Sequence, residues 1–273
     1  ALFLIASADD PEFRRSVVGL AISTAVGVGL LIAASALDGA AQASAWALAI
    51  ALDMGGPLII PPAGWRLSPG HFAERHGLIL LIALGESIVA IGVGVAGSLT
   101  FGQGAAAVLG IGLAAAQWWM YFDVVAIISA RRLERAERGY VQNTMARDSY
   151  SYLHFPMVAG VVLAALGMKK TLGDVDHALK DVPAAAMLGG AAMYLLAHVG
   201  FRLRNVGTLN RQRLACAVVL LALIPLATEI AALATLAILA ALLAALIAYE
   251  AIRFADARDR IRHQIVPHGG PPE

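Results

Sequence analysis

Long apolar stretches, separated by short polar connections, run along almost the whole chain. A membrane-spanning helix needs about 20 mostly apolar residues. Eight segments meet that requirement approximately: 16–37, 43–60, 77–97, 105–128, 152–168, 184–201, 212–228 and 230–250. The last two lie in one apolar run, residues 214–249, which as a single helix would be about 54 Å long against a hydrocarbon core of about 30 Å. We therefore predict a tight turn near "PLATEI", residues 225–230.

The composition is that of a membrane protein. Apolar residues make up 59% of the chain and charged residues 14%, whereas a soluble domain carries about 25% charged residues. The mean hydropathy is +0.74. The predicted fold class is all-α, a polytopic transmembrane helix bundle with about eight spans. We expect one integral-membrane domain over residues 1–273, with a polar cytoplasmic tail at 251–273.

The first residues and the cysteine content add two expectations. The sequence opens with the apolar "ALFLIAS", followed by the polar "ADDPEFRR", and no positively charged region precedes the apolar stretch. We expect residues 1–6 to be the tail of a preceding helix and the sequence to be a fragment. The lone Cys216 excludes an internal disulfide framework and a multi-Cys metal site.

Arginine is distributed very unevenly between the two sides that the eight spans define. Successive connections between spans lie on alternate sides of the membrane. With the eight spans above, all seventeen Arg lie in the connections and ends on one side, and the three Lys lie in those on the other side. Basic residues favour the cytoplasmic side of a membrane. This distribution predicts that both ends of the eight-span segment face the cytoplasm.

Two carboxyl groups are predicted to lie deep in the membrane. Glu86 is about ten residues into its span, close to the midplane, and Asp53 reaches a similar depth in the preceding span. Gly55, Gly56 and Pro57 disfavour an unbroken helix after Asp53, and broken helices recur at the binding sites of secondary transporters. We expect Glu86 to face the bundle interior, with Asp53 as its first-choice partner. The alternative is that both are neutral acids with a structural role.

A second group of polar residues falls near the cytoplasmic ends of the predicted spans. It lies in "HFAERH", "YFD", "ARDSYSYLHFP" and "AHVGFR". Its candidates, which we call the inner cluster, are His71, Glu74, Asp123, Arg147, Asp148, His154 and His198. Because His carries protons near neutral pH, His and carboxylate groups leading towards Glu86 would make a proton path. We expect four of them to converge across at least three helices: Glu74, Asp123, His154 and His198.

Two alternatives remain open for the inner cluster. His71 and Glu74, completed by His154 or His198, could bind zinc, although the spacing is not diagnostic. Ion pairs and contacts with lipid headgroups are also common at such positions. The sequence contains no phosphate-binding glycine loop with Lys, no nucleophile elbow and no His-Glu-x-x-His motif. No catalytic residue, metal or cofactor is therefore assigned.

The expected partners are lipids and other membrane helices. The basic connection 130–148 is expected to lie along anionic headgroups. Small residues recur at a spacing of four, as in Gly19, Ser23 and Gly27, and such faces let helices approach closely, either within the bundle or against partner subunits. The net charge of +1 does not indicate nucleic acid.

Three blocks resemble a known family. "SPGHFAERHGLILLIALGESIVAIG", "WWMYFD" and "RDSYSYLHFPMVAGVVLAALG" are similar to the bacterial low-temperature-requirement protein A (LtrA) family, and "LDMGGP" also matches. The resemblance implies a multi-pass protein of the bacterial inner membrane and gives weight to Glu74, Glu86, Asp123 and His154. It supplies no substrate and no catalytic residue. The acidic, Phe-rich amino-terminal motif typical of the family has no counterpart here.

The leading hypothesis is a proton- or ion-linked transporter or channel-like protein that uses Glu86 and Asp53 as its midplane site. The runner-up is a non-catalytic membrane subunit or organising protein that packs against partners through its Gly/Ala faces. A membrane-embedded enzyme is a weaker hypothesis because no nucleophile–base pair stands out. A cavity reaching Glu86 would favour transport, whereas a filled bundle would favour the subunit.

Overall fold

A computed structural model describes residues 9–59, 64–94 and 99–263. Within these ranges the chain is helical, with no strand beyond an isolated bridge between Ala178 and Ala231, so the all-α prediction is confirmed. Two segments are π-helical, Ala146–Leu153 and Ala185–Gly189. The α-helices of these ranges are α1 (Pro11–Ala34), α2 (Gly39–Ile59), α3 (Pro69–Gly94), α4 (Phe101–Phe122), α5 (Val125–Arg135), α6 (Tyr140–Met145), α7 (His154–Gly173), α8 (Asp181–Ala184), α9 (Gly190–Val206), α10 (Arg211–Ala222), α11 (Ile224–Ala227), α12 (Ala232–Arg253) and α13 (Ala255–His263).

Six helical stretches among the described residues are long and apolar enough to cross a membrane. They are Pro11–Ala34, Pro69–Gly94, Phe101–Arg135, Tyr140–Gly173, Asp181–Val206 and Ala232–Arg253. The predicted count of about eight is not confirmed. Helices do form at the other two predicted segments. The polar and small residues of α2 lower its mean hydropathy, and segment 212–228 is divided between the short helices α10 and α11.

Parts of several predicted elements lie outside the described residues. These are the preceding-helix tail at 1–6, residue 60, residues 95–97 and the last part of the predicted tail, 264–273.

The first compact unit comprises the described residues of Ala1–Pro69 and Leu133–Tyr152. In it α1 packs along α2. A Cβ atom on Gly27 would lie 3.3 Å from the carbonyl oxygen of Ala49 and 3.1 Å from Asp53 Cβ. The small-residue face predicted on α1 is therefore a helix-packing surface within the chain.

α2 continues through the Gly-Gly-Pro stretch, where the sequence predicted an interruption. Pro57 lacks an N–H group, and the last carbonyl groups of any helix have no partner within it. Two side chains supply partners here. Arg147 donates to the Pro57 carbonyl oxygen at 3.0 Å, and the Tyr152 hydroxyl donates to that of Met54. These contacts give two carbonyl groups in the last turns of α2 a hydrogen-bond partner from outside the helix.

The second compact unit comprises the described residues of Gly70–Arg132 and Leu153–Glu273. In it α9 packs on α7 and α10, and α4 packs on α12 and α7. The backbones of α7 and α9 meet at Gly160 and Gly190, because a Cβ on Gly160 would lie 2.6 Å from the Gly190 carbonyl oxygen. These glycines set the distance between the two helices on which the candidate site depends.

The long apolar run 214–249 is divided, as the sequence predicted. α10 ends at Ala222, and α12 begins at Ala232 after a turn. The Ala232 N–H donates to the His177 carbonyl oxygen at 2.9 Å, so the loop after α7 caps the first turn of α12. In that exposed loop His177 Nδ1 lies 2.9 Å from Asp174 Oδ1. This hydrogen bond raises the pKa of His177 and lowers the pKa of Asp174.

Candidate functional site

A cavity of about 300 Å³ lies within the second compact unit, beside the carboxyl-terminal half of α9. Its walls come from the ends of α4, α9 and α12 and the beginnings of α5, α10 and α13. Much of the wall is apolar, including Trp119, Ile128, Phe201, Ile247 and Phe254. We call it the α9 pocket, and its charged and strongly polar groups are Asp123, His198, Arg202, Asn210, Arg213, Glu250 and Arg258. Small-molecule sites have this combination of apolar walls and a few polar groups.

A bidentate ion pair forms one side of the α9 pocket. Arg213 Nε and Nη2 donate to the two carboxylate oxygens of Glu250 at 2.9 and 2.8 Å. Asn210 Nδ2 donates to the same carboxylate at 3.1 Å, and Asn210 Oδ1 accepts from the Arg213 N–H at 3.2 Å, which caps α10. The two charged side chains are only 8% and 13% exposed. Their mutual hydrogen bonds make such burial tolerable.

A second ion pair lies on another side of the pocket. Arg258 of α13 donates to the Asp123 carboxylate, and its guanidinium carbon lies 5.5 Å from the centre of a Trp119 ring. Arg258 therefore anchors part of the segment predicted as a polar tail. Arg202 has a neutral partner instead, since its Nε donates to Thr208 Oγ1 at 3.0 Å.

The His198 side chain is 2% exposed and lies in the pocket wall. Its Nδ1 is 3.0 Å from the Tyr194 carbonyl oxygen, whereas its Nε2 has no hydrogen-bond partner among the residues the structure describes. Behind it the Tyr121 ring centre lies 6.0 Å from that of His198 and 5.3 Å from that of His154. His154 Nε2 lies 2.9 Å from the His76 carbonyl oxygen. A row of buried rings thus leads from α3 to the pocket.

The structure brings only part of the inner cluster together. Asp123 and His198 line the α9 pocket, and His154 is one ring away. Glu74 does not join them. It is exposed near the start of α3, where its Oε2 lies 3.8 Å from Nδ1 of His71. Asp123 and His198 therefore share one cavity, His154 lies behind its wall, and Glu74 lies at an exposed position of its helix.

Arg147 and Asp148 belong to the first compact unit. Arg147 Nη2 lies 2.8 Å from Asp148 Oδ1, and the same guanidinium binds the Pro57 carbonyl oxygen at 3.0 Å. A cation at the carboxyl end of a helix is also favoured by the helix dipole. The geometry of this pair is that of a helix cap.

Glu86 is exposed, and the expectation that it faces the bundle interior is wrong for the described part of the chain. The buried face of α3 includes Ala83, Ser87 and Ile91, and Glu86 lies off that stripe. No described residue is a hydrogen-bond partner of Glu86. Asp53 is also exposed. The role of these two carboxyl groups as a proton or ion site stays a prediction.

The zinc alternative has no geometric support within the described ranges. No group of three or more His, Cys, Asp or Glu side chains there is placed to hold a metal ion. His71 and Glu74 are exposed, whereas His154 and His198 are buried among aromatic rings.

A comparison with protein-family models decides the family. The model described as "Bacterial low temperature requirement A protein (LtrA)" matches residues 1–248. This chain belongs to the LtrA family. Together with the six apolar helical stretches found among the described residues, the match makes this LtrA-family chain a multi-pass membrane protein.

One similar protein is described as "Uncharacterized protein RA0937", from Rhizobium meliloti (strain 1021). It is 28% identical to this LtrA-family chain over 160 residues, which is 55% of this chain and 38% of that protein. The chain thus matches well under half of that relative's length. No solved structure matches the chain.

The ion pairs of the α9 pocket were not predicted from the sequence. Arg213 and Arg258 entered the prediction only as basic residues on one side of the membrane. A signal was present, because Glu250 is the only charged residue between Glu229 and Arg253. A lone acid at the end of one apolar helix, on the same predicted side as Arg213 at the start of another, is the pattern of a buried pair.

Proposed function

We propose that this chain is the membrane part of a proton-linked transporter of small molecules in the bacterial inner membrane, with its substrate bound in the α9 pocket. One observation carries the proposal: a single pocket combines apolar walls, two buried ion pairs and His198, whose Nε2 has no hydrogen-bond partner among the described residues. Ionisable residues inside membrane proteins are costly, and they commonly mark substrate and proton pathways.

The surroundings of the pocket support this proposal. The helix ends that line it are those assigned to the cytoplasmic side by the arginine distribution, so the pocket would open towards the cytoplasm. The rings of Tyr121 and His154 lie behind His198 and bring two further ionisable groups close to the site.

Glu86 and Asp53 are proposed to be additional proton-binding groups. Asp53 is the only carboxyl group of α2, and Glu86 is the only one in the apolar part of α3 that follows Gly77. Ionisable side chains within membrane spans are costly and commonly mark proton and ion pathways.

The transport proposal is tested with the purified chain in vesicles that contain a pH-sensitive dye. Gradients of an organic acid, an amine, an amino acid and a sugar are imposed in turn. At least one class should drive proton movement that depends on the protein. His198→Gln should abolish this movement, whereas the matched change at an exposed loop position, His177→Gln, should preserve it. Glu86→Gln should reduce it. Proton movement equal to that of empty vesicles for every class would overturn the proposal.

A second candidate function, a subunit that packs against partner helices, is favoured by one observation. Glu86 is exposed within a span whose exposed residues are otherwise mostly apolar, such as Ile82 and Val89. A helix from another polypeptide could cover this carboxyl group and hydrogen-bond it, which lipid cannot do.

Spin labels at Glu86→Cys and, one turn away, Ile82→Cys distinguish the environments, in a Cys216→Ser background. If a partner helix covers this face, both labels should be shielded from dissolved oxygen and from a water-soluble nickel complex. High oxygen accessibility at both positions means lipid contact and removes the subunit interpretation for this face.

A further inference from the structure

We infer that the α9 pocket binds a small amphipathic monocarboxylate together with one proton, which is held on His198 Nε2. The inference names the substrate class of the transporter proposed above and so rests on that function. Binding and proton uptake are nevertheless measurable without transport.

The hydrogen bonds of His198 determine what a ligand must offer. The Tyr194 carbonyl oxygen can only accept, so His198 Nδ1, which lies 3.0 Å away, carries the ring hydrogen. In the neutral ring Nε2 is then a bare acceptor. The atom is buried, His198 is one of the residues that line the pocket, and no described residue donates to Nε2. A buried acceptor without a donor is unfavourable, so a bound proton or a donor group at this atom is favoured.

The charges of the pocket select an anion. Arg213 is paired with Glu250, and Arg258 is paired with Asp123. Arg202 has only the neutral hydroxyl of Thr208 as a hydrogen-bond partner among the described residues. Among the described residues the lining thus contains three guanidinium groups and two carboxylates, and this surplus positive charge matches a single carboxylate on the ligand.

The size and walls of the pocket define the rest of the molecule. A volume of about 300 Å³ is at the lower end of small-molecule pockets, which span about 300–1,000 Å³. A two-chain lipid does not fit into it. The apolar side chains of Trp119, Ile128 and Phe201 favour a hydrocarbon or aromatic body over a sugar or a polyanion.

Proton and anion assist each other at this site. Each helix packed near His198 contributes at least one ionisable group to its surroundings. These groups are His154 on α7, Tyr121 on α4, Asp123 at the end of α4, Tyr194 and Arg202 on α9, Arg213 on α10, Glu250 on α12 and Arg258 on α13. Like charges disfavour one another, so the Arg213 guanidinium in the same pocket disfavours a positive imidazole. A ligand carboxylate in the pocket adds a negative charge, so the anion and the proton favour each other's binding.

The step is a simple protonation. One proton from solution forms one N–H bond at His198 Nε2, no other covalent bond forms or breaks, and the ligand plus its proton add no net charge. Because the two binding events are coupled, each must strengthen the other by the same factor.

The test is calorimetric titration of the purified chain in detergent with benzoate, with benzyl alcohol and benzylamine as probes of matched shape. Benzoate should bind most tightly of the three. Titrations in two buffers with different ionisation enthalpies should show about one proton taken up per benzoate. Affinity should fall from pH 6 to pH 8 by up to about tenfold per unit, as linkage to one proton requires. Titration into empty micelles corrects for partitioning.

Variants assign these effects to residues. His198→Gln and His198→Asn cannot titrate and should eliminate both the proton uptake and the pH dependence. Arg202→Gln should weaken benzoate binding at least about tenfold, the scale of one lost charge-assisted bond. The matched controls His177→Gln and Arg204→Gln lie outside the pocket and should bind like the unaltered chain. Each variant is first checked for an unchanged melting temperature.

Three results would overturn the inference: equal binding of benzylamine and benzoate, no proton uptake, or unchanged proton uptake in both His198 variants. The two proposals fail separately. If another class of solute drives proton movement while benzoate does not bind, the substrate class is wrong and the transport function stands. If benzoate binds with its proton but no solute drives proton movement, the pocket is a binding site in a protein that does not transport.

Discussion

At the scale of single residues, the Arg213–Glu250 pair is a buried bidentate interaction in the wall of the α9 pocket. Both side chains are largely buried, and the pair makes two parallel hydrogen bonds. A buried ion pair adds little net stability over an apolar pair of similar volume, but removing one partner leaves a buried charge without compensation. The pair is therefore better explained by the chemistry of the pocket than by stability alone.

Glu250→Gln should lower the free energy of unfolding by about 3 kcal/mol, because Arg213 is then buried without a counter-charge. The double variant Glu250→Leu with Arg213→Met should recover most of that loss. Unfolding in mixed SDS and detergent micelles measures the free energy of unfolding of the single and the double variant. The exposed turn residue Glu229 provides a matched control, since Glu229→Gln should leave stability unchanged. A double variant as unstable as Glu250→Gln would contradict this account of the pair.

At the scale of elements, the approach of α7 to α9 determines the shape of the site. His154 is on α7 and His198 is on α9, and both reach Tyr121 only because the two helix backbones are in contact. That contact has room for hydrogen but not for a methyl group at Gly160 and Gly190.

Gly160→Ala and Gly190→Ala should each destabilise the protein by about 1–3 kcal/mol, since the added methyl group meets backbone atoms that cannot move aside. Gly112→Ala on α4 is the control. No atom lies within 4 Å of the Cβ it would add, and Ala is the better helix former, so stability should be unchanged or slightly higher. Melting in detergent, followed by circular dichroism, compares the three. Equal melting temperatures for all three variants would refute the close contact.

At the scale of the whole molecule, the arginine distribution predicts the orientation in the membrane. Tyr140→Cys and Leu209→Cys, each exposed, should react with a membrane-impermeant maleimide only from the cytoplasmic side, in a Cys216→Ser background. Asp176→Cys should react only from the opposite side. Labelling is measured in intact cells and in inverted vesicles. Reaction of Tyr140→Cys or Leu209→Cys in intact cells would overturn the predicted orientation.

Much of the architecture could be predicted from the sequence, because long apolar segments have few alternatives to helix in a membrane. The all-helical class, the division of residues 214–249 and the resemblance to the LtrA family all followed from local pattern. The predicted count of about eight spans exceeds the six membrane-spanning stretches found among the described residues. It relied on segment length, whereas α2 is diluted by polar residues and α10 is short.

Which polar side chains meet was decided only by the tertiary structure. A span that is apolar all round has no polar face to indicate how the helix is rotated, so depth along the axis can be predicted but direction cannot. For this reason the prediction that Glu86 lies within a helix was correct, whereas the prediction that its side chain faces the bundle interior was wrong. For the same reason the pairing of Arg213 with Glu250 was not predicted. Sequence placed both at helix ends, and only the packing of α10 and α12 brought guanidinium and carboxylate within 2.8 Å of each other.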